Sequence, residues 1–228
     1  MTLGVRFIRR SGVLVSKFIS TILILLYIGQ TGAIVYLIHD RYKLREIQRD
    51  QELKMNEQQS KINELEEKLK ILKIIEDFQV GFKEQEKAQL TQVLYDESRR
   101  YGYDPLLILA LILSESRFQK GQVSEMGAMG LMQMKPSAGY DLCQRRGLKW
   151  TGELSLFEPA FNVQLGTLYL FELILKFRDV KKAIIAYNVG ENALKLKLKE
   201  GQKPPTYFLS QVLRKYKELK EKYDLPES

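Results

Sequence analysis

The sequence predicts an all-α protein in three parts: a transmembrane helix, a helical stalk and a globular helical domain. Three observations carry this. Phe18 to Ile38 runs for 21 residues without a charge. Tyr42 to Phe78 is rich in Glu, Lys, Gln and Leu, with apolar residues at alternating three-and-four spacing. From Ala88 onward, apolar residues recur at helical spacing between capping residues, with no strand-like alternation and no internal repeat. The expected segments are a basic N-terminus over 1–17, an anchor over 18–38, a stalk over 39–80 and a domain over 86–223.

The anchor, as a helix, spans roughly 31 Å, enough for a bilayer core. Gly29, Gln30, Thr31 and Gly32 weaken its centre. A cleaved leader ending near Thr31-Gly32-Ala33 is the competing reading, but apolar residues continue through Ile38. Arg6, Arg9, Arg10 and Lys17 precede the span and Arg41, Lys43, Arg45, Arg49 and Lys54 follow it, so a Lys/Arg count sets no orientation.

In the stalk, Met55, Ile62, Leu65, Leu69 and Leu72 form a coiled-coil seam that Gln48, Gln51 and Gln58 weaken. Pairing through it with a second copy or a partner protein stands against a lone solvated helix held by pairs such as Glu64–Lys68. In either case roughly 35 helical residues would place a domain roughly 50 Å from a membrane.

Gly81 ends the stalk. Leu90, Val93 and Leu94 pattern a helix over Ala88–Tyr101, stopped at Gly102. Asp104 and Pro105 read as N-cap and first residue of a helix over Leu106–Glu115. Another helix starts at Pro136 and runs toward Arg146 and Gly147. Glu158-Pro159 opens a longer one, patterned by Phe161, Leu165, Leu168, Tyr169, Glu172 and Leu175. Asp179 caps one that ends at Gly190, and Pro205-Thr206 opens the last, held down by Leu209, Val212 and Tyr216.

Charge and composition exclude several functions. The chain has 228 residues and a net charge of +8. Residues 1–17 carry four basic groups and no acid, 40–87 carry 11 basic and 12 acidic, and 88–228 carry 21 and 16. The C-terminal excess is spread out, without the basic stripe interleaved with aromatics of a nucleic-acid module, so no nucleic-acid partner is expected. Cys143 and His39 are the only residues of their types. That rules out an internal disulfide and argues against a His/Cys zinc site or a Cys-His pair. No metal or cofactor is expected.

Chemistry falls to carboxylates, and one stands out. The Leu106–Glu115 helix is apolar nearly all round and so reads as buried. Glu115 ends it, a carboxylate at the mouth of a core, where desolvation raises its pKa and keeps it an acid. A helix-end carboxylate turned to solvent is the plainer alternative. Glu97 falls on a solvated face, Glu125 lies in the following loop, and Glu153 and Glu158 read as capping or surface charges.

Three separated motifs decide between these readings. Glu115-Ser116-x-Phe118 is followed by Ser124-x-x-Gly127-Ala128-x-Gly130-Leu131-Met132-Gln133-Met134-x-Pro136, and later by Ala186-Tyr187-Asn188-Val189-Gly190. Together they resemble the lytic transglycosylase family of peptidoglycan-cleaving enzymes, over roughly residues 88–216. The resemblance implies a lysozyme-like helical domain acting on peptidoglycan glycan strands outside the cytoplasm, anchored in the inner membrane. It implies that Glu115 protonates the glycosidic oxygen and then, as a base, takes the C6 hydroxyl proton to close a 1,6-anhydro ring. The substrate's N-acetyl group stands where glycosidases commonly place a second carboxylate. Rival readings are a hydrolytic muramidase and a non-catalytic glycan-binding or assembly protein.

The resemblance also assigns residues. Ser116 would bond near the acetamido group, or else bond its own helix. Met132, partly by its backbone, and Gln133, by its amide, would line the glycan groove. Tyr187 would bring its hydroxyl near Glu115, Asn188 would orient that segment or touch sugar, and Tyr207 would border the cleft. Gly127, Ala128 and Gly130 would form a low-bulk turn open to sugar. Pro136 and Asn162 would be structural, with Gly166 beside Asn162. Ser137 in place of the usual Thr, and Val189 in place of Ala, are mild departures.

Overall fold

The computed structural model describes the backbone of residues 3–223 and the side chains of residues 17–223. The expectation for 1–17 therefore lies, Lys17 apart, outside the described side chains. Among the described residues, eight α-helices follow one another: α1 Leu3–Phe78, α2 Glu84–Tyr101, α3 Pro105–Glu115, α4 Pro136–Arg146, α5 Pro159–Phe177, α6 Val180–Val189, α7 Glu191–Lys199 and α8 Tyr207–Tyr223. A 3-10 turn over Glu153–Phe157 precedes α5. Among the described residues the only β pairing is two isolated antiparallel bridges, Val123 with Met129 and Met129 with Met134.

The chain divides into two compact units, Met1–Ile62 and Asn63–Ser228. In the first, α1 crosses the Gly29–Gly32 stretch unbroken, and the Thr31 hydroxyl bonds back to the carbonyls of Tyr27 and Ile28. Phe18, Leu23, Leu25 and Ile34 are exposed, and the most apolar window reaches a mean hydropathy of 2.0. The helix is long and apolar enough to cross a membrane.

The second unit begins upstream of the start expected at residue 86. Ile71, Ile74 and Ile75 share one face of α1 and are buried in its core. Leu65 and Leu69, on the opposite side of the helix, stay exposed. At the start of α2 the Glu86 carboxylate accepts the Lys83 N–H at 2.7 Å, which places the first turn four residues before Ala88.

Helix α3 is the centre of this unit. Asp104 caps it by accepting the Leu106 N–H at 2.9 Å, Pro105 is its first residue, and Leu106 and Ile108–Leu113 are all buried. Helix α8 packs along it through Phe208, Leu209, Val212 and Leu219, and the Tyr216 hydroxyl donates to Asp104.

The structure departs from the sequence reading in three places. Leu175 is exposed although Ile174 and Phe177 on either side of it pack on the core, because it lies on the outward side of α5. Helix α7 is absent from the sequence reading. Its one buried residue, Leu194, is too little apolar pattern to see, and it is pinned instead by Glu191 pairing with Lys176 and Lys195. Glu97 is buried, not solvated, because α2 packs against α5 on that side. Its Oε1 accepts from Arg100 at 2.8 Å, while its Oε2 has no partner among the described residues. Burial raises the Glu97 pKa despite the Arg100 charge.

The opposite faces of α1 give a first prediction. In a soluble fragment starting at residue 41, Ile75→Ala should cost about 2–5 kcal/mol in urea unfolding, and Leu65→Ala less than about 0.5 kcal/mol. Equally small losses would detach the end of α1 from the core.

Candidate functional site

A cleft of about 430 Å³ opens at the C-terminal end of α3. Glu115 lines it with Ser124, Gln133, Tyr169, Tyr187 and Asn188 among the polar groups. Lys135 joins them from the start of α4. Helix α3 delivers Glu115 because its apolar length is buried and its last residue is not wholly so. Arg117 and Phe118 then adopt positive φ angles of 53° and 62°, turning the chain away.

Burial is the one cause acting on the Glu115 carboxyl, and it pushes the pKa up to about 8. The group is therefore an uncharged acid at neutral pH. Among the described residues it is also the one acid that lines the cleft; Glu97, Glu125, Glu153 and Glu158 do not.

The facing wall is the loop from Gln122 to Met134. Reciprocal bonds between Met129 and Met134, at 2.9 and 3.0 Å, close it, and the Gly130 N–H donates to Gln122. Ser124 accepts the Ala128 N–H and Gly127 turns at φ 72°. Asn162, fully buried in the first turn of α5, holds the loop from behind. Its Oδ1 accepts the Met132 N–H at 2.7 Å, and its Nδ2 donates to the carbonyls of Met129 and Leu156, each at 2.9 Å. Gly130 admits no side chain. A Cβ there would lie 2.2 Å from the Leu156 carbonyl oxygen and 2.4 Å from Asn162 Nδ2.

Tyr187 joins the two walls. Its hydroxyl donates to the Met132 carbonyl at 2.8 Å, with Met134 Sδ 3.4 Å away. Its pKa is raised first by burial and then by the charge of Glu115, which marks the two as electrostatic neighbours. The Tyr169 ring stands 5.4 Å from that of Tyr187.

The structure brings Glu115, Ala128, Gln133, Tyr187 and Asn188 to one cleft, with the Gly127–Gly130 turn and Asn162 behind. Three expected residues do not line the cleft with their side chains. Ser116 is buried and its hydroxyl bonds the Ile112 carbonyl of its own helix. Met132 is fully buried and serves the site through its backbone. Tyr207 is exposed, bonds Gln211, and lines a separate groove with Arg214. Pro136 is the first residue of α4, as expected.

Sequence reasoning overlooked Tyr169 and Lys135. Tyr169 was visible only as one apolar position of α5, and Lys135 stood as an unassigned position between Met134 and Pro136.

Known proteins resemble this region. The family described as "Transglycosylase SLT domain" matches residues 92–208. Two relatives named membrane-bound lytic murein transglycosylase C, from Actinobacillus succinogenes and Mannheimia succiniciproducens, are each 39% identical over 107 residues, covering 42% of this chain. The match spans 30% of the length of those relatives. An inactive mutant of the lytic transglycosylase Slt from Pseudomonas aeruginosa shares the fold, with a TM-score of 0.50, 23% identity, and coverage of 60% of this chain and 24% of that one.

Asn162 supplies the second prediction. Asn162→Ala would leave the Met132 N–H and two buried carbonyls unpaired, an expected loss of about 3 kcal/mol or more in urea unfolding. An unchanged midpoint would show that the loop holds itself.

Proposed function

Because the chain belongs to the transglycosylase SLT domain family, we propose that it cleaves the β-1,4 glycosidic bond of peptidoglycan without water. The observation that carries this is Glu115, largely removed from water, protonated at neutral pH and the one acid lining the cleft among the described residues. Its proton passes to the oxygen leaving C1 of N-acetylmuramic acid as the C1–O bond breaks. The sugar's own acetamido group stabilises the cation, the role a second carboxylate has in other glycosidases. The Glu115 carboxylate then takes the C6 hydroxyl proton, O6 bonds to C1, and the acid is restored. The product ends in 1,6-anhydro-N-acetylmuramic acid. Gln133 would bind sugar through its amide oxygen, since its amide N–H groups bond the loop, and Asn188 would bind it from the other wall; Tyr187, bonded to the Met132 carbonyl, would position the Met132–Gln133 backbone beside it.

The third prediction tests this chemistry. Glu115→Gln should lower wall cleavage by about 10²–10⁴ or more. The acid must carry its proton, so kcat/KM should hold below pH 8 and fall about tenfold per unit above it. Mass analysis should show anhydro ends; reducing muramic ends would make water the nucleophile and the protein a muramidase.

We further propose that 18–38 is a retained anchor in the cytoplasmic membrane, that 39–62 is a spacer, shorter than the expected 39–80 because the end of α1 packs in the domain core, and that the domain to residue 223 acts outside the cytoplasm. The exposed apolar span and the membrane-bound relatives support this. The exposed seam residues Met55, Ile62, Leu65 and Leu69 are available to a second copy. As a fourth prediction, protease added to spheroplasts should remove the domain, and fragment 41–228 should sediment as a dimer at high concentration. Protection from protease would place the domain in the cytoplasm, and a monomer would leave the stalk a spacer alone.

A further inference from the structure

Among the described residues, one cationic side chain lines the cleft, Lys135. Arg100 and Arg146 border another groove, between α2 and α5, and are already committed: Arg146 to Glu172 and Arg100 to Glu97, each at 2.8 Å. Lys135 is exposed, and no carboxylate among the described residues pairs with it. Its backbone is nonetheless fixed. Met134 before it is bonded twice to Met129, Pro136 after it starts α4, and its carbonyl accepts the Gly139 N–H at 2.9 Å. An ammonium on a flexible stem thus rises from a rigid root at the cleft wall. Glu115 is uncharged at neutral pH, so a ligand entering the cleft meets a positive field from Lys135.

We propose that Lys135 is a specificity residue that selects glycans bearing carboxylates, pairing its ammonium with a carboxylate borne by the muramic acid side branch. This rests on the peptidoglycan reading above. A β-1,4-linked polymer of N-acetylglucosamine offers the same sugar backbone and the same acetamido groups, but no carboxylate. Peptidoglycan differs by a lactyl group on alternate sugars, which ends in a free carboxylate or carries a peptide with carboxylates of its own. A cation beside the cleft can discriminate between the two polymers, and Lys135 is the group so placed. A flexible lysine suits a carboxylate whose position varies with the branch better than a planar, fork-shaped guanidinium would.

The test is binding, measured by calorimetry on the full chain in detergent with Glu115→Gln in place so that nothing is cleaved. Three probes of equal length are used: a peptide-bearing glycan, the same glycan stripped to its lactyl groups, and a chitin oligomer. Lys135→Gln should weaken one or both carboxylate-bearing probes by about fivefold at low salt. The difference should shrink at 0.5 M salt as screening shortens. Lys135→Arg should recover most of the affinity, and the chitin oligomer should bind all forms alike. A loss confined to the stripped glycan assigns the lactyl carboxylate, and a loss confined to the peptide-bearing one assigns the peptide. Equal affinities with and without the Lys135→Gln substitution, an equal loss on chitin, or no binding of either carboxylate-bearing probe overturns the proposal. Wall cleavage is assayed separately on the unsubstituted chain: inactivity alongside Lys135-dependent binding would end the catalytic reading and leave this one standing.

Discussion

One buried amide holds the site together. Asn162 uses its acceptor and both of its donors on three different backbone groups, those of Met132, Met129 and Leu156. Those bonds fasten the Gln122–Met134 loop to α5 and to the 3-10 turn before it. The Met132 carbonyl, on the far side of the same residue, accepts the Tyr187 hydroxyl and so ties in α6. A polar group fully removed from water is costly unless satisfied, and satisfying it fixes the geometry of everything it touches. Gly130 is required by the same closeness, since a side chain there would collide with Asn162 itself.

Three glutamates of the second unit are wholly or largely removed from water, and their surroundings give them different chemistry. Burial alone would raise Glu172, but Arg145 and Arg146 both bond it and its pKa is lowered, making it a clasp between α4 and α5. Glu97 has one guanidinium partner, and burial still prevails. Glu115 meets burial with no counter-charge and remains an acid to about pH 8. Only the last opens on a cleft. The ordering follows from the number of cations each meets, and it separates the structural carboxylates from the one suited to deliver a proton.

Most of the helical fold was legible because caps and periodicity agree. Asp104-Pro105, Pro136, Pro159 and Asp179 each start a helix where they stand in the sequence. What was not legible depended on tertiary contacts. A helix face that packs on a distant helix looks the same in sequence as a solvated one, so Glu97 was misplaced and the inward face of Ile71, Ile74 and Ile75 went unseen. Within the site, Glu115, Gln133, Tyr187 and Asn188 were legible from motif spacing. Tyr207 was not, because its helix register turns it into another groove. Ser116 and Met132 illustrate a further limit. Motif membership locates a residue near the site, but only packing decides whether side chain or backbone faces it.

The backbone on both sides of the cleft is strained in a way that explains where α3 stops. Arg117 and Phe118 take left-handed angles one residue beyond Glu115, after Ser116, and Gln133 does so at 49° on the opposite wall. Such angles cost about 1–3 kcal/mol each in non-glycine residues and persist only where surroundings over-determine them. Gln133 is held by its own amide, which donates to the carbonyls of Gly130 and Gln122 at 2.8 and 3.2 Å. Phe118 is held by its ring, fully buried and stacked on Phe78 with centroids 6.2 Å apart. Full burial of a Phe side chain, about 1.5–3 kcal/mol, is of the same size as the cost of the angle and offsets it. Had α3 run on by another turn, Glu115 would lie mid-helix rather than at the end that faces the cleft. The aromatic anchor that ends the helix therefore sets the position of the carboxylate, and half of that anchor is the last residue of α1.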